Sequence, residues 1–212
     1  MVSLYTVVAD IDNPGAKQGP TLPGSSPLGA AQTRYIGLEI EITMINNTND
    51  DSWMSLPRLD KDCFGCGSEN HSGLQMTFET NGNQIRSRLT VPSRFRGWSK
   101  LVHGGVISTI LDETMSWAAI ILTKSFILTK KMTIQFQRPI YVESALCGIA
   151  SIKEKNGERK AIVTAELFDD QGRLCATSEG EFVLYTKEQF AKLDILQADY
   201  LESMAADLHY EK

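Results

Sequence analysis

The first residues that could do chemistry are His103-Gly104-Gly105, which stand immediately before a long apolar stretch. Two glycines ahead of a helix let the backbone approach another group closely, and the first amides of a helix have no partner inside it. These amides lie at the positive end of the helix dipole, where they bind an anion or polarise a carbonyl oxygen. A simpler interpretation is also open, because the glycines could serve only a tight turn and the histidine could be structural.

Asp112 is the second candidate, because aspartate is unfavourable in the middle of a helix. On a helical wheel it lies beside the apolar stripe, in one row with Ser108 and Ser116. Partial burial at that position would raise the pKa of the carboxyl group and suit it to general-base catalysis. The neighbouring Glu113 is expected on a solvated face.

The spacing of these two candidates places them apart. Asp112 follows Gly105 by seven residues, which is roughly 10 Å along a helix. One chain therefore cannot easily direct both groups at one small reacting centre. A two-fold dimer solves this problem if Asp112 of one subunit faces the glycines of the other. The catalytic interpretation thus predicts a homo-oligomer.

A single strong helix is predicted to carry these residues, from Gly105 to Leu122, because its apolar residues recur at helical spacing. Before it, Asn81-Gly82 is predicted to join two alternating strands over 74–79 and 85–91. After the helix we predict four more strands: Met132 to Phe136, Ala145 to Lys153, Arg159 to Phe168 and Leu174 to Tyr185. One helix followed by a meander packs most economically with the sheet curved around the helix, so we predict an α+β fold.

Composition limits the class of protein. The 212 residues include 21 Lys and Arg against 26 Asp and Glu, a net charge of −5. An acidic chain is not expected to bind nucleic acid, which needs a basic surface. We expect no membrane partner, because no apolar run in the sequence approaches spanning length. The N-terminus shows no basic leader before an apolar region, and four cysteines are too few for a disulfide framework, so a cytoplasmic location is expected.

The motif of His103-Gly104-Gly105 followed by Asp112 resembles that of the hotdog-fold acyl-CoA thioesterases of the phenylacetate-pathway, PaaI-like family. Upstream, Cys63-Phe64-Gly65-Cys66-Gly67 with Asn70, Gly73 and Leu74 is similar to a leader of many bacterial members. Downstream, Arg138-Pro139-Ile140 is similar to the strand ending that follows their helix. The resemblance covers Cys63 to Thr186. It implies a hotdog fold, in which an antiparallel sheet wraps around a long central helix.

The same resemblance implies roles for individual residues. Asp112 would activate water, or attack directly, at the thioester carbonyl carbon, and Thr129 would hold the nucleophilic water. A backbone amide of Gly104 or Gly105 would bind the carbonyl oxygen, with His103 orienting the loop and thioester. Many members carry an asparagine six residues before the histidine, where this sequence has Gly97. That difference bears on rate and substrate class, and not on the fold.

The family further implies an acyl-CoA substrate and a homodimer or a dimer of dimers, with no metal or redox cofactor. Two other functions stay open: a hotdog enoyl-thioester hydratase or dehydratase, with His103 and an acid transferring protons, and a non-catalytic acyl-CoA-binding module. Basic residues could meet the phosphates of CoA, although none is assigned individually: Lys130, Lys131, Arg138, Lys153, Lys155, Arg159 and Lys160.

Three segments are predicted along the chain: an N-terminal extension over 1–62, the hotdog domain over 63–186 and a C-terminal helix over 187–212. Prolines and glycines alternate between Asp12 and Ala31, which favours a linker, and possible strands flank it at Val2 to Val8 and Tyr35 to Met44. The C-terminal helix is expected to begin with a capping box and to dock on its own domain or on a dimer mate.

The cysteines allow two interpretations. Cys63 and Cys66 could form half of a zinc site, with His71 nearby. A structural zinc site usually takes four ligands, and Cys147 and Cys175 stand singly on predicted strands. We therefore predict a glycine-rich turn with reduced, unligated cysteines, and no metal site.

Overall fold

The structure is a computed structural model that describes residues 6–8 and 53–208. Its strands, within those residues, are β1 (Thr6–Val8), β2 (Met54–Ser55), β3 (Glu79–Thr80), β4 (Ile85–Thr90), β5 (Phe126–Phe136), β6 (Ala145–Asn156), β7 (Lys160–Phe168) and β8 (Leu174–Tyr185). They form one sheet in the order β1-β5-β8-β7-β6-β4-β3-β2. Every pairing is antiparallel except that of β1 with β5, which is parallel.

Strands β5 and β6 are each longer than predicted. Strand β5 pairs with β8 and not with β6, so the predicted four-stranded antiparallel meander is reduced to β6, β7 and β8. Its turns follow from glycines with a positive φ, a conformation that other residues rarely adopt. Gly157 has a φ of 64° between β6 and β7, and Gly172 has a φ of 70° between β7 and β8. These turns bring the apolar faces of successive strands onto one side of the sheet.

The central helix is α1 (Gly104–Thr123), one residue longer at each end than predicted. Nine of its residues are buried, and it packs against β4, β5, β6, β7 and β8. A left-handed Lys124 ends it, with its amide bonded to the carbonyl oxygen of Ile120. By length and composition this helix could also cross a membrane, but its burial within the sheet accounts for its apolar character. The α+β class is therefore confirmed.

The strand predicted over 74–79 is much shorter than expected. Only Glu79 and Thr80 pair with β4, while the amides of Leu74 and Met76 bond to the carbonyl oxygens of Phe64 and Gly65. The alternating pattern is real, since Met76 and Phe78 are buried. The preceding loop takes the backbone hydrogen bonds that a strand would have used.

The predicted single C-terminal helix is wrong, because the structure has two helices there. They are α2 (Lys187–Ala191) and α3 (Ala198–Asp207), separated by a segment in which Asp194 has a φ of 54°. The predicted capping box between Thr186 and Gln189 is present. Phe190 of α2 stacks on Phe126 at 5.1 Å between ring centroids, so this segment docks on its own domain.

Contacts with the domain also extend before Cys63, the predicted boundary. Strand β2 joins the sheet, Leu59 is in the core, and the Tyr200 hydroxyl donates to the Leu59 carbonyl oxygen at 2.7 Å. The three-segment division stays a prediction. The possible strand at Tyr35 to Met44 lies outside the described residues, and from Val2 to Val8 only Thr6–Val8 is described, as β1.

Candidate active site

The N-terminus of α1 is capped by the side chain of His103. Its Nδ1 atom accepts a hydrogen bond from the Gly105 amide at 3.0 Å, and the His103 backbone is extended. In this cap Nδ1 acts as the acceptor and the Gly105 amide as the donor. The Gly105 amide is already occupied, whereas the Gly104 amide has no partner among the described residues. Of the two predicted oxyanion donors, only Gly104 keeps a free amide.

Gly97 packs closely against His103 in the turn that precedes α1. A Cβ atom at Gly97 would lie 3.2 Å from the Cα atom of His103, tighter than nearly all such contacts. The Gly97 amide also donates to the Leu101 carbonyl oxygen at 2.8 Å. Two backbone segments thus meet closely at the position where the resemblance led us to expect an asparagine, and a larger side chain would force His103 to move.

Asp112 lies on the margin of the core and is partly buried. The Thr129 hydroxyl of β5 donates to its Oδ1 atom at 3.0 Å, so the structure brings these two predicted residues together. Burial raises the pKa of Asp112, and the hydrogen bond from Thr129 opposes that shift. A bulge follows Thr129 where the pairing of β5 with β8 shifts before Lys131. Such bulges re-aim side chains next to functional sites.

The prediction that Glu113 is solvated is wrong. Its carboxyl group is partly buried, and its Oε1 atom lies 3.4 Å from the Sγ atom of Cys63. Burial, followed by the charge of Cys63, raises the pKa of Glu113 to about 8. Cys63 precedes Glu113 by fifty residues, so no local pattern in the sequence could have paired them.

The helix start and Asp112 do not meet within one chain. Asp112 follows Gly104 by eight residues on the same helix, a separation of about 12 Å along the axis. His103, Gly104 and Gly105 are all exposed in the single protomer. A groove on the opposite face of the sheet, lined by residues such as Thr133, contains none of these residues. The helix start and Asp112 thus do not form one compact site within the described protomer.

Comparisons with known proteins agree with this architecture. Residues 100–176 match the model of the thioesterase superfamily. A crystal structure of a thioesterase superfamily protein is 19% identical, with a TM-score of 0.54, and the alignment covers 68% of this chain and 73% of that one. AziG of S. sahachiroi is also 19% identical, with a TM-score of 0.51 and coverage of 58% and 99%. No curated protein matches the sequence.

The PaaI protein of E. coli, from the phenylacetic acid degradation operon, is 18% identical with a TM-score of 0.48, and the alignment covers 52% of this chain and 80% of that one. The match over 100–176 includes the helix start, Asp112 and Thr129. The resemblance to the PaaI-like hotdog thioesterases is confirmed at the level of superfamily and fold.

The capping role of His103 can be tested by measuring stability. We expect His103→Ala to lower the free energy of unfolding by about 1 kcal/mol, because the Gly105 amide would lose its acceptor. His103→Asn should retain most of the stability, since asparagine is a preferred helix cap. Urea unfolding followed by circular dichroism measures both variants. Equal stability of the alanine variant and the parent protein would contradict the capping role.

Proposed function

We propose that the protein is an acyl-CoA thioesterase, which hydrolyses a thioester to a carboxylic acid and free CoA. The observation that carries the proposal is the half-buried carboxylate of Asp112, held by the Thr129 hydroxyl at 3.0 Å on a thioesterase-superfamily helix. A carboxylate in this environment is a suitable general base, because partial desolvation increases its basicity.

In the proposed reaction, Asp112 removes a proton from a water molecule as the water oxygen attacks the thioester carbonyl carbon. The carbonyl oxygen becomes negatively charged, and the free Gly104 amide donates to it at the positive end of the helix dipole. The tetrahedral intermediate then expels CoA as a thiolate, which takes the proton from Asp112. Direct attack by Asp112 is the variant of this scheme, with an anhydride hydrolysed in a second step. Neither route uses a redox cofactor.

The proposal includes a homodimer, or a dimer of dimers, with each site shared by two protomers. Its support is the separation of about 12 Å between Gly104 and Asp112 along one helix. In a two-fold dimer each Gly104 can face Asp112 of the partner, which gives two equivalent sites.

The substrate's CoA portion carries phosphates, which basic residues at the site would bind. Among the candidates, Lys130 and Lys160 bond to Glu181, and Lys153 bonds to Glu179. Three others are exposed or partly exposed and form no ion pair within the described residues: Lys131, Lys155 and Arg159. These three are the stronger candidates for phosphate contacts.

The direct test of the function is release of free thiol from a panel of acyl-CoAs that varies in chain length and aryl content. Asp112→Asn should lower kcat by roughly 10²–10⁴-fold, because the amide cannot accept the proton from water. The substitution preserves side-chain size, and circular dichroism would check that the variant is folded. Retained turnover in folded Asp112→Asn would refute its role. A hydrated or dehydrated product without free thiol would indicate the enoyl-thioester hydratase or dehydratase. Tight acyl-CoA binding without turnover would indicate the non-catalytic binding module.

The oxyanion donor can be tested by removing a single backbone hydrogen. Gly104 is the first residue of α1 and follows an extended His103, a position that tolerates proline. Gly104→Pro removes the amide hydrogen, whereas the matched control Gly104→Ala keeps it and adds only a methyl group. That methyl would make an ordinary contact of 3.9 Å with Phe136 in this protomer. We expect kcat to fall by roughly 10²–10³-fold in the proline variant relative to the alanine control. Equal activity of the two variants would exclude the Gly104 amide.

Mixing these variants tests whether the site is shared. Chains with Gly104→Pro and chains with Asp112→Asn should each be nearly inactive alone. In a heterodimer, one site would carry both substitutions and the other would carry neither, so an equal mixture after subunit exchange should regain about a quarter of the parental activity. Exchange is followed by tagging one chain. Heterodimers that stay inactive would show that both groups act within one chain.

A further inference from the structure

The residues 60–76, termed here the cysteine loop, fold over α1 beside Glu113. The Sγ atoms of Cys63 and Cys66 and a carboxylate oxygen of Glu113 all lie within 4.8 Å of one another. We propose that Cys63, Cys66 and Glu113 form a zinc site that fastens the cysteine loop to the turn of helix carrying Asp112.

The separation of the ligand atoms suits a zinc ion. Zinc binds thiolate sulfur at about 2.3 Å and carboxylate oxygen at about 2.0–2.2 Å, so a tetrahedral ion holds two such ligands about 3.5 Å apart. The observed distance from Cys63 Sγ to Glu113 Oε1 is 3.4 Å. The two ligands come from different elements, and their side chains already converge without rearrangement.

The charges of the cluster favour a cation. Cys66 is buried, and Cys63 and Glu113 are partly buried. No basic side chain of the described residues forms an ion pair with Glu113. Three acidic groups that face one another cannot all ionise unless a positive charge joins them. Zinc would displace the remaining protons and neutralise the ligands.

The backbone of the cysteine loop is also shaped around these atoms. The Gly65 amide donates to Cys63 Sγ at 3.3 Å, which stabilises a thiolate. A Cβ atom at Gly65 would lie 2.3 Å from the Glu113 carboxyl carbon, and one at Gly67 would lie 2.5 Å from the Cys63 carbonyl oxygen. At Gly67 the close atoms belong to the backbone, so only glycine fits, and at Gly65 a larger residue would displace the Glu113 side chain. The glycines let the loop approach the carboxylate closely enough for shared ligation.

The ligand types favour zinc over calcium and magnesium. Thiolates suit zinc, whereas calcium and magnesium take oxygen ligands. Three protein ligands leave a tetrahedral zinc one position for water. His71, considered from the sequence, is exposed and lies outside the cluster, and Glu113 takes its place. The prediction of unligated cysteines is replaced by this proposal.

The proposed zinc ion would stabilise the fold and fix the position of the α1 turn that carries Asp112. It takes no part in the hydrolysis proposed above. Glu113 directly follows Asp112, so a ligand bond at Glu113 fixes the adjoining turn of α1. Failure of Asp112 as a base would leave the zinc site unaffected, and a protein without zinc could still hydrolyse thioesters. The thioesterase proposal and the zinc-site proposal can therefore be tested independently of each other.

The test uses the full chain, reduced and stripped of metal with a chelator, and titrated with Co²⁺ as a spectroscopic probe for zinc. We expect thiolate-to-cobalt charge-transfer absorption that saturates at one ion per chain and is abolished by competing Zn²⁺. Saturating Zn²⁺ should raise Tm by roughly 5–10 °C through its binding to the folded state. Absence of charge-transfer absorption would overturn the proposal.

Variants assign the ligands. Cys63→Ser and Glu113→Gln should each weaken cobalt binding by more than roughly 100-fold, because losing a direct ligand should cost more than losing an outer partner. Cys147→Ser and Cys175→Ser are matched controls, since both thiols lie on strands outside the cluster, and each should bind like the parent. Equal binding by all four variants would reveal adventitious metal and overturn the proposal. If a cysteine variant fails to fold, the isosteric Glu113→Gln decides the question.

Discussion

The burial of α1 against the curved sheet is the constraint on which the rest of the structure depends. Its apolar stripe packs on five strands, and residues such as Ile110, Leu111 and Met115 have no measurable exposure. Each buried side chain of this size contributes about 1.5–3 kcal/mol relative to an exposed one. This packing fixes the rotation of the helix about its axis. Apart from the buried Thr114, the polar side chains of the helix thereby lie on the margin of the core.

The rotation explains why two consecutive acids have different surroundings. Neighbouring residues of a helix point about 100° apart, so Asp112 reaches Thr129 on β5 while Glu113 reaches the cysteine loop. Both lie on the margin of the core, where burial raises both pKa values. One turn of α1 therefore connects the proposed general base to the proposed metal site. A movement of the cysteine loop against Glu113 would therefore shift the adjoining side chain of Asp112.

Local patterns in the sequence were sufficient for much of this fold. The apolar periodicity of α1, the alternation of β6 to β8 and the glycine turns depend on near neighbours, so they could be predicted closely. The family resemblance implied that Asp112 and Thr129 act on the same water, and their direct hydrogen bond is seen only in the structure. Two of the failures involve distant partners: the loop that takes the hydrogen bonds of Leu74 and Met76, and the approach of Cys63 to Glu113. The break in the C-terminal helix near Asp194 had no marker, because the apolar spacing continues across it.

The exposure of the helix start has a consequence for the proposed dimer. A donor such as the Gly104 amide stabilises a developing oxyanion strongly only where water is excluded, since water screens the charge and competes for the hydrogen bond. In one protomer Gly104 is exposed, so the proposed reaction requires that some surface cover it. A two-fold partner can supply that cover and its own Asp112 in one contact. In the proposed dimer, one contact between the protomers both brings Asp112 to the site and excludes water from the Gly104 amide. Catalysis would therefore depend directly on dimer assembly.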